Sequence, residues 1–142
     1  MAERFRKYLS EVSSLARAGV LGTDGQPALR LALGNTSCDM DSVIGSICMG
    51  YFFTVKTGNL MLPVINEAKD SFKHNLEIVK HLTDCGIALT DLYYMDELRA
   101  QYKPEAVAET MLIDLNVLES HQADLGKNVT VILDHHLDMN AY

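Results

Sequence analysis

The sequence predicts an α/β fold, with a mostly parallel β-sheet that carries helices on both of its faces. Short apolar runs that fit buried strands alternate along the chain with longer segments of helical periodicity, which is the pattern of such a sheet. The composition is that of an ordinary globular protein, at 48% apolar and 22% charged residues. No linker or internal repeat is visible, so we interpret residues 1–142 as one domain.

The first half of the predicted fold begins with an amphipathic helix over residues 2–17, where apolar residues repeat on one helical face. A turn at TDGQ, residues 23–26, leads to a buried strand at residues 28–33. After a polar loop, residues 42–55 are apolar almost all round, which predicts a helix buried against the sheet.

The middle of the chain continues this alternation. Residues 60–65 form a strand, and Pro63 within it indicates either an edge position or a local break. Residues 71–83 show clear helical periodicity that ends near Gly86, and residues 92–94 form a brief strand.

The last part of the chain contains the most regular strand. A helix is predicted over residues 105–109, and an apolar strand at residues 111–113 follows it. Residues 116–127 then form a crossover with a turn at Gly126. The sequence VTVIL at residues 129–133 is the clearest strand signal in the chain, and the triplet DHH comes directly after it.

Charge and composition exclude several classes of function. The formal net charge is −7, and no cluster of Lys and Arg with interleaved aromatic residues is present, which argues against nucleic-acid binding. No apolar run reaches the roughly 18 residues of a membrane span, and the N-terminus lacks the apolar core of a secretory signal. Three cysteines without a CxxC pairing predict free thiols in a reducing compartment. We therefore expect a cytoplasmic protein that does not bind membranes.

Acidic and histidine residues follow three of the predicted strands, at the point where each strand ends. They are Asp39 and Asp41, then Asp114, and finally Asp134, His135 and His136. Because the carboxyl ends of parallel strands open on one edge of a sheet, we expect these side chains to converge there. Carboxylates and imidazoles together suit Mn, Mg, Co, Zn or Fe(II), so the sequence predicts a metal site.

The spacing of Asp39 and Asp41 favours two metal ions rather than one. Two carboxylates this close repel each other unless cations separate them. Each can bind one of two neighbouring cations, and a further aspartate such as Asp114 can bridge both. In two-metal sites the ions activate a water for attack on phosphorus.

Three stretches carry a resemblance to a known family. GNTSCDMDS, MLIDLN and VILDHH, in this order, are similar to the first three motifs of the DHH phosphoesterase superfamily. The first motif most resembles that of the eukaryotic exopolyphosphatases and the related prune proteins. The resemblance implies a two-lobed enzyme with two divalent ions, Mn or Mg, in the cleft between the lobes.

The resemblance also implies a role for each site residue. The metal ligands are Asp39 for the first ion, Asp41 and His135 for the second, and Asp114 as the bridge between them. His136 would contact the phosphate under attack, and Asp134 would orient the histidine pair. Asn35 stands where many members have a metal-binding histidine, which shifts the expected preference toward Mg. We therefore expect Asn35, Asp134 and His136 to take part in catalysis.

The function that the resemblance implies is release of terminal phosphate from inorganic polyphosphate or from another small phosphoanhydride substrate. Two alternatives within the superfamily stay open: an inorganic pyrophosphatase, or a phosphodiesterase acting on short or cyclic nucleotides. A non-catalytic, prune-like interaction module is the alternative from another class. The family also carries a further aspartate ligand and a second lobe beyond the DHH motif. We therefore expect residues 1–142 to be the N-terminal part of such an enzyme, with little or no activity alone.

Overall fold

Five parallel strands form a single sheet in the structure, a computed structural model that describes residues 2–142. The strands are β1 (Leu29–Leu33), β2 (Leu62–Ile65), β3 (Tyr93–Tyr94), β4 (Val107–Ile113) and β5 (Val129–Leu133). The helices are α1 (Ala2–Arg17), α2 (Met40–Thr57), α3 (Lys69–Phe72), α4 (Leu76–Asp84) and α5 (Met95–Gln101), with 3-10 turns at Leu89–Asp91, Pro104–Ala106 and Ser120–Asn128. The predicted α/β class with a parallel sheet is confirmed.

The strand order β3-β2-β1-β4-β5 places a topological switch point between β1 and β4. The chain first builds outward from β1 to β3 and then returns to add β4 and β5 on the other side. Because crossovers between parallel strands are right-handed, the two halves of the chain place their crossovers on opposite faces of the sheet. The carboxyl ends of the two central strands lie side by side, with Leu33 opposite Leu112. Folds of this type bind ligands at such a point, outside the carboxyl ends of the strands.

The helix α1 docks on the sheet through one apolar face, as predicted, and its bounds match the predicted 2–17. The hydroxyl of Tyr8 on this helix donates a buried hydrogen bond of 2.5 Å to the carbonyl of Met61. Gly50 of α2 makes room for this contact, because a Cβ there would lie 2.8 Å from the Tyr8 hydroxyl and 2.9 Å from Pro63 Cγ. The glycine therefore lets α1 and the start of β2 approach α2 closely.

The helix α2 packs against β1 and β2, as predicted, although Phe52 and Val55 expose 59% and 65% of their surfaces. Of the two alternatives that Pro63 indicated, the edge position is wrong. Pro63 does not mark an edge strand, because β2 lies between β1 and β3. The two-residue strand β3 pairs only with Val64 and Ile65, so the missing N–H of Pro63 interrupts no ladder on that side.

Element boundaries differ from the prediction in two places. The single helix predicted over residues 71–83 is two helices, α3 and α4, separated by a turn at residues 73–75. Residues 107–109 belong to β4 rather than to a helix, because they pair with β1 through Leu29 and Arg30. That partner is distant in sequence, so local periodicity gave no sign of it.

None of the helices in residues 2–142 combines the length and apolarity needed to cross a membrane. Cys38, Cys48 and Cys85 are free thiols, and Cys38 is buried in the loop after β1.

Candidate metal centre

The loop between β1 and α2 holds the first group of candidate ligands in a fixed shape. The backbone N–H of Asn35 donates to the Ser42 hydroxyl at 2.6 Å. A Cβ at Gly34 would lie 2.3 Å from that same hydroxyl, so only glycine fits beside it. Asp39 is the N-cap of α2 and accepts a hydrogen bond from the Ser42 N–H. The start of α2 therefore holds Asp39 and Asp41 at the carboxyl end of β1.

Asp114 follows β4 directly and has an unusual backbone conformation, with φ at 60°. Aspartate tolerates this left-handed region better than most residues. Its N–H donates to the Leu133 carbonyl at 2.8 Å, which ties the turn to the end of β5. Its side chain exposes only 7% of its surface and accepts a hydrogen bond of 2.7 Å from the Asn35 side-chain amide. The carboxylate is thus held rigidly between β1, β4 and β5.

Two groups of potential metal ligands meet at this carboxylate. Ligand atoms of Asp39, Asp41 and Asp114 all lie within 4.8 Å of one another, and so do those of Asp114, His135 and His136. Asp114 is the residue that the two groups share. Oxygen and imidazole donors are the set that Mg and Mn accept. The residues present therefore fit divalent cations.

The two histidines after β5 reach the site differently. His135 Nε2 lies 3.0 Å from Asp114 Oδ1 and 3.8 Å from Asp41 Oδ2. His136 Nδ1 lies 2.6 Å from Asp134 Oδ1. The histidine side chains expose 73% and 54% of their surfaces, whereas that of Asp134 exposes 4%. The side chains of Asp114 and Asp134 are therefore buried, whereas the histidine rings that contact them stay exposed to a ligand.

The electrostatics of the site also suit bound cations. Burial raises the pKa of Asp114, and the charges of Asp41 and Asp39 raise it further. A buried carboxylate facing two others carries repulsion that a divalent cation would relieve. The hydrogen bond that His136 donates to Asp134 raises the pKa of His136. Burial alone would raise the pKa of Asp134, but hydrogen bonds from His136 and Asn116 hold it below its usual value.

Asn35, expected at the position of a family histidine ligand, contacts the carboxylate of Asp114. Its Nδ2 donates to Asp114 Oδ2 at 2.7 Å and to the Asp114 carbonyl at 3.2 Å. Its Oδ1 accepts hydrogen bonds from the N–H and the hydroxyl of Ser37. In this arrangement Asn35 orients Asp114 and offers no free oxygen.

Sequence reasoning missed a layer of buried amides behind these residues. Asn66 donates to the Gly34 carbonyl at 2.8 Å and exchanges hydrogen bonds with Gln122. Asn116 donates to Asp134 Oδ2 at 2.5 Å. A signal was present in both cases, since Asn66 directly follows β2 and Asn116 lies two residues after Asp114. Polar residues at strand ends are candidates for the site even when they are not ionisable.

Two open grooves meet at Asp114. Asn35, Asn116 and His136 line one of them, and Asp41, Gly45 and His135 line the other. None of the described residues that line these grooves is Lys or Arg. Any positive charge that these residues present to an anion must come from bound cations or from protonated histidine.

Comparison with known proteins supports the same chemistry. The chain is 29% identical over 111 residues to exopolyphosphatase PRUNE1 of Rattus norvegicus, a match that covers 75% of this chain and 24% of the rat protein. Exopolyphosphatase PRUNE1 of Homo sapiens is 26% identical over 110 residues, covering 75% of this chain and 24% of the human protein. The chain is therefore similar in sequence to part of proteins that are named exopolyphosphatases. The resemblance predicted from the three motifs is confirmed.

The match extends further in a fungal relative. A protein of Schizosaccharomyces pombe, provisionally named an exopolyphosphatase, is 25% identical over 138 residues. That match covers 96% of this chain and 34% of the yeast protein. The aligned part thus spans about a quarter to a third of the length of these relatives. A scan of the chain against protein-family models finds no match.

Proposed function

We propose that this chain carries the metal centre of a phosphohydrolase that releases terminal phosphate from inorganic polyphosphate. The observation that supports this most is the shared carboxylate of Asp114, which belongs to both groups of potential ligands. The names of the homologous proteins point to the same type of reaction. Hydrolysis of a phosphoanhydride is the function that joins these two findings.

The residues that would hold two divalent cations, Mn or Mg, are Asp39, Asp41, Asp114 and His135. When bound, such cations neutralise the charge that develops on phosphate and lower the pKa of a water ligand. Asp114 is suited to bridge the two ions because β4, β5 and Asn35 fix its carboxylate before any ion arrives. His135 is suited to complete one shell because its Nε2 lies near both Asp114 and Asp41.

His136 would act on the substrate rather than on a metal ion. Its Nδ1 faces Asp134, which leaves Nε2 as the nitrogen for a phosphate oxygen. Because Asp134 raises the pKa of His136, the ring keeps its proton over a wider range of pH and can donate a hydrogen bond to the phosphate. Asp134 itself stays ionised and holds the ring in place.

The experiment is a phosphate-release assay on the protein expressed from its complete gene. Inorganic polyphosphate, pyrophosphate, a cyclic nucleotide and short RNA are compared at equal concentration, with Mg, with Mn and with a chelator. We expect release from polyphosphate that depends on the added cation and is lost in Asp114→Asn. If phosphate is released faster from another of these compounds, that compound replaces polyphosphate as the proposed substrate. Release that survives chelation would refute the metal centre.

A further inference from the structure

The side chain of Asn116 is nearly buried, with 7% of the residue exposed, and uses both ends of its amide. Its Nδ2 donates to Asp134 Oδ2 at 2.5 Å and to the Leu137 carbonyl at 3.0 Å. Its Oδ1 accepts from the Met139 N–H at 3.0 Å. All three hydrogen bonds reach the segment that carries the two histidines. A residue after β4 therefore fixes the loop after β5.

Asp134 connects Asn116 to His136 through hydrogen bonds. Its Oδ2 is held by Asn116, while its Oδ1 accepts from the His135 N–H at 2.9 Å and from His136 Nδ1 at 2.6 Å. An ionised carboxylate can only accept hydrogen bonds, so His136 Nδ1 must carry a hydrogen. In the neutral ring the lone pair is then on Nε2, which is the nitrogen that takes up the second hydrogen when the ring is protonated.

We propose that Asn116 is a positioning residue, which acts through Asp134 to keep the Nδ1 hydrogen of His136 in place and Nε2 available to a ligand. Without Asn116, Asp134 Oδ2 would lose its protein donor and the carboxylate could rotate away from the ring. The consequence for turnover rests on the proposed hydrolase function. The hydrogen-bond chain itself does not, because it exists in the protein without substrate.

A purely structural role for Asn116 predicts a different outcome. Two of its three hydrogen bonds join the backbone at Leu137 and Met139, and these could serve only to anchor the segment. If so, loss of the amide would lower stability and leave the His136 ring unchanged. The state of the ring, rather than stability, therefore separates the two roles.

The test measures the nitrogen chemical shifts of His136 by NMR, in protein labelled with 15N-histidine, at alkaline pH where the ring is neutral. The His136 signals are identified by their loss in His136→Gln. We expect the wild type to show hydrogen on Nδ1, and Asn116→Ala to shift the ring toward the form with hydrogen on Nε2. Asn128→Ala is the matched control, because it removes a side-chain hydrogen bond to the Val107 carbonyl at the other end of β5.

A second variant covers the case in which Asn116→Ala does not fold. Asn116→Asp keeps the acceptor for the Met139 N–H but removes the donor to Asp134, so we expect the same shift of the ring. A folded variant at position 116 whose His136 stays in the Nδ1 form would overturn the proposal.

Activity separates this proposal from the proposed function. If the wild type hydrolyses polyphosphate, Asn116→Ala should lower kcat by roughly 10- to 100-fold with little change in KM, as expected when a partner that orients a site histidine is removed. If the wild type hydrolyses none of the substrates while the ring still responds to position 116, the proposed function fails and the positioning role stands. An unchanged kcat in Asn116→Ala of an active enzyme would refute its part in turnover.

Discussion

The side-chain amide of Asn35 donates a 2.7 Å hydrogen bond to the carboxylate of Asp114 across the switch point of the sheet. Two residues, one from each of two motifs, are therefore joined directly, although 79 positions separate them in sequence. Where many members of the superfamily place a histidine ligand, this chain places an orienting amide.

This contact leads to a prediction for Asn35→His. Imidazole nitrogen favours Mn and Co over Mg, so the variant should bind Mn relative to Mg about tenfold more tightly than the wild type does. Calorimetric titration of both proteins with each cation measures the ratio. Asn59→His, an exposed position in the connection before β2, should leave it unchanged. An unaltered ratio in Asn35→His would mean that residue 35 does not reach the metal ions.

Asp114→Asn should raise the stability of the metal-free protein and abolish its stabilisation by cations. Its carboxylate has a raised pKa because of burial and of repulsion by Asp41 and Asp39, so its ionised form destabilises the metal-free fold at neutral pH. Asparagine tolerates the same φ. We expect the metal-free variant to unfold at a Tm about 3 °C higher, for a gain of about 1 kcal/mol.

The same variant should no longer respond to cations. A cation at 100 times its Kd stabilises the wild type by about 2.7 kcal/mol, and this gain should vanish in Asp114→Asn. Thermal unfolding with and without Mg or Mn measures both effects. Asp24→Asn, in an exposed turn, is the control that should behave as the wild type. Equal stabilisation of Asp114→Asn by cations would exclude Asp114 as a ligand.

Residues 1–142 expressed alone should bind divalent cations and still hydrolyse polyphosphate poorly. The net charge is −7, and among the described residues no Lys or Arg lines the two grooves at Asp114. The exposed imidazoles also leave the site open to water, which weakens electrostatic stabilisation. Turnover is compared with that of the product of the complete gene at equal cation concentration. Comparable rates would show that these residues suffice for catalysis.

The ion pair of Arg17 and Glu97 predicts an acid-sensitive contribution to stability. Arg17 Nε donates to Glu97 at 2.9 Å, joining α1 to α5. Burial raises the pKa of Glu97, but the hydrogen bond and charge of Arg17 outweigh it and hold the pKa below its usual value. A depressed folded pKa stabilises the protein above the unfolded pKa, and this is lost as pH falls through the folded value.

Glu97→Gln should therefore cost about 1–2 kcal/mol of unfolding free energy near pH 7. The difference from wild type should shrink as the pH falls through the depressed folded pKa of Glu97, because its carboxyl group is then neutral in both the folded and the unfolded state. Urea unfolding at neutral pH and over a series of acid pH values measures it. The exposed Glu105 provides the control, Glu105→Gln. A cost that does not change with pH would show that Glu97 acts through packing and not through charge.

Tyr8→Phe should weaken the docking of α1. It removes the hydroxyl that satisfies the buried Met61 carbonyl, at a cost of about 1–2 kcal/mol in unfolding free energy. Tyr51→Phe is the matched control, because the Tyr51 hydroxyl makes no hydrogen bond among the described residues while its ring packs edge-on against Phe5 at 5.1 Å. Denaturant unfolding compares the two, and equal costs would contradict the role of the Tyr8 bond.

Local patterns predicted those parts of the fold that depend on local physics. The bounds of α1 follow from its own apolar face, and the strands before Asp39, Asp114 and Asp134 follow from apolar runs with polar ends. The start of β4 was missed because Val107–Glu109 become a strand only by pairing with β1. Asn116 lies at a strand end, which made it a candidate, but its role arises from contact with Asp134, which the spacing does not show.

The unpaired edge of β5 determines where another strand could pack beside the site. Among residues 2–142 it pairs with β4 alone, and Val131, Ile132 and Leu133 expose 37%, 40% and 52% of their surfaces. A free apolar edge is a template for another strand. A parallel strand added there would end beside the histidine loop, just as β4 ends beside Asp114. Assembly at this edge would therefore govern how much water reaches His136.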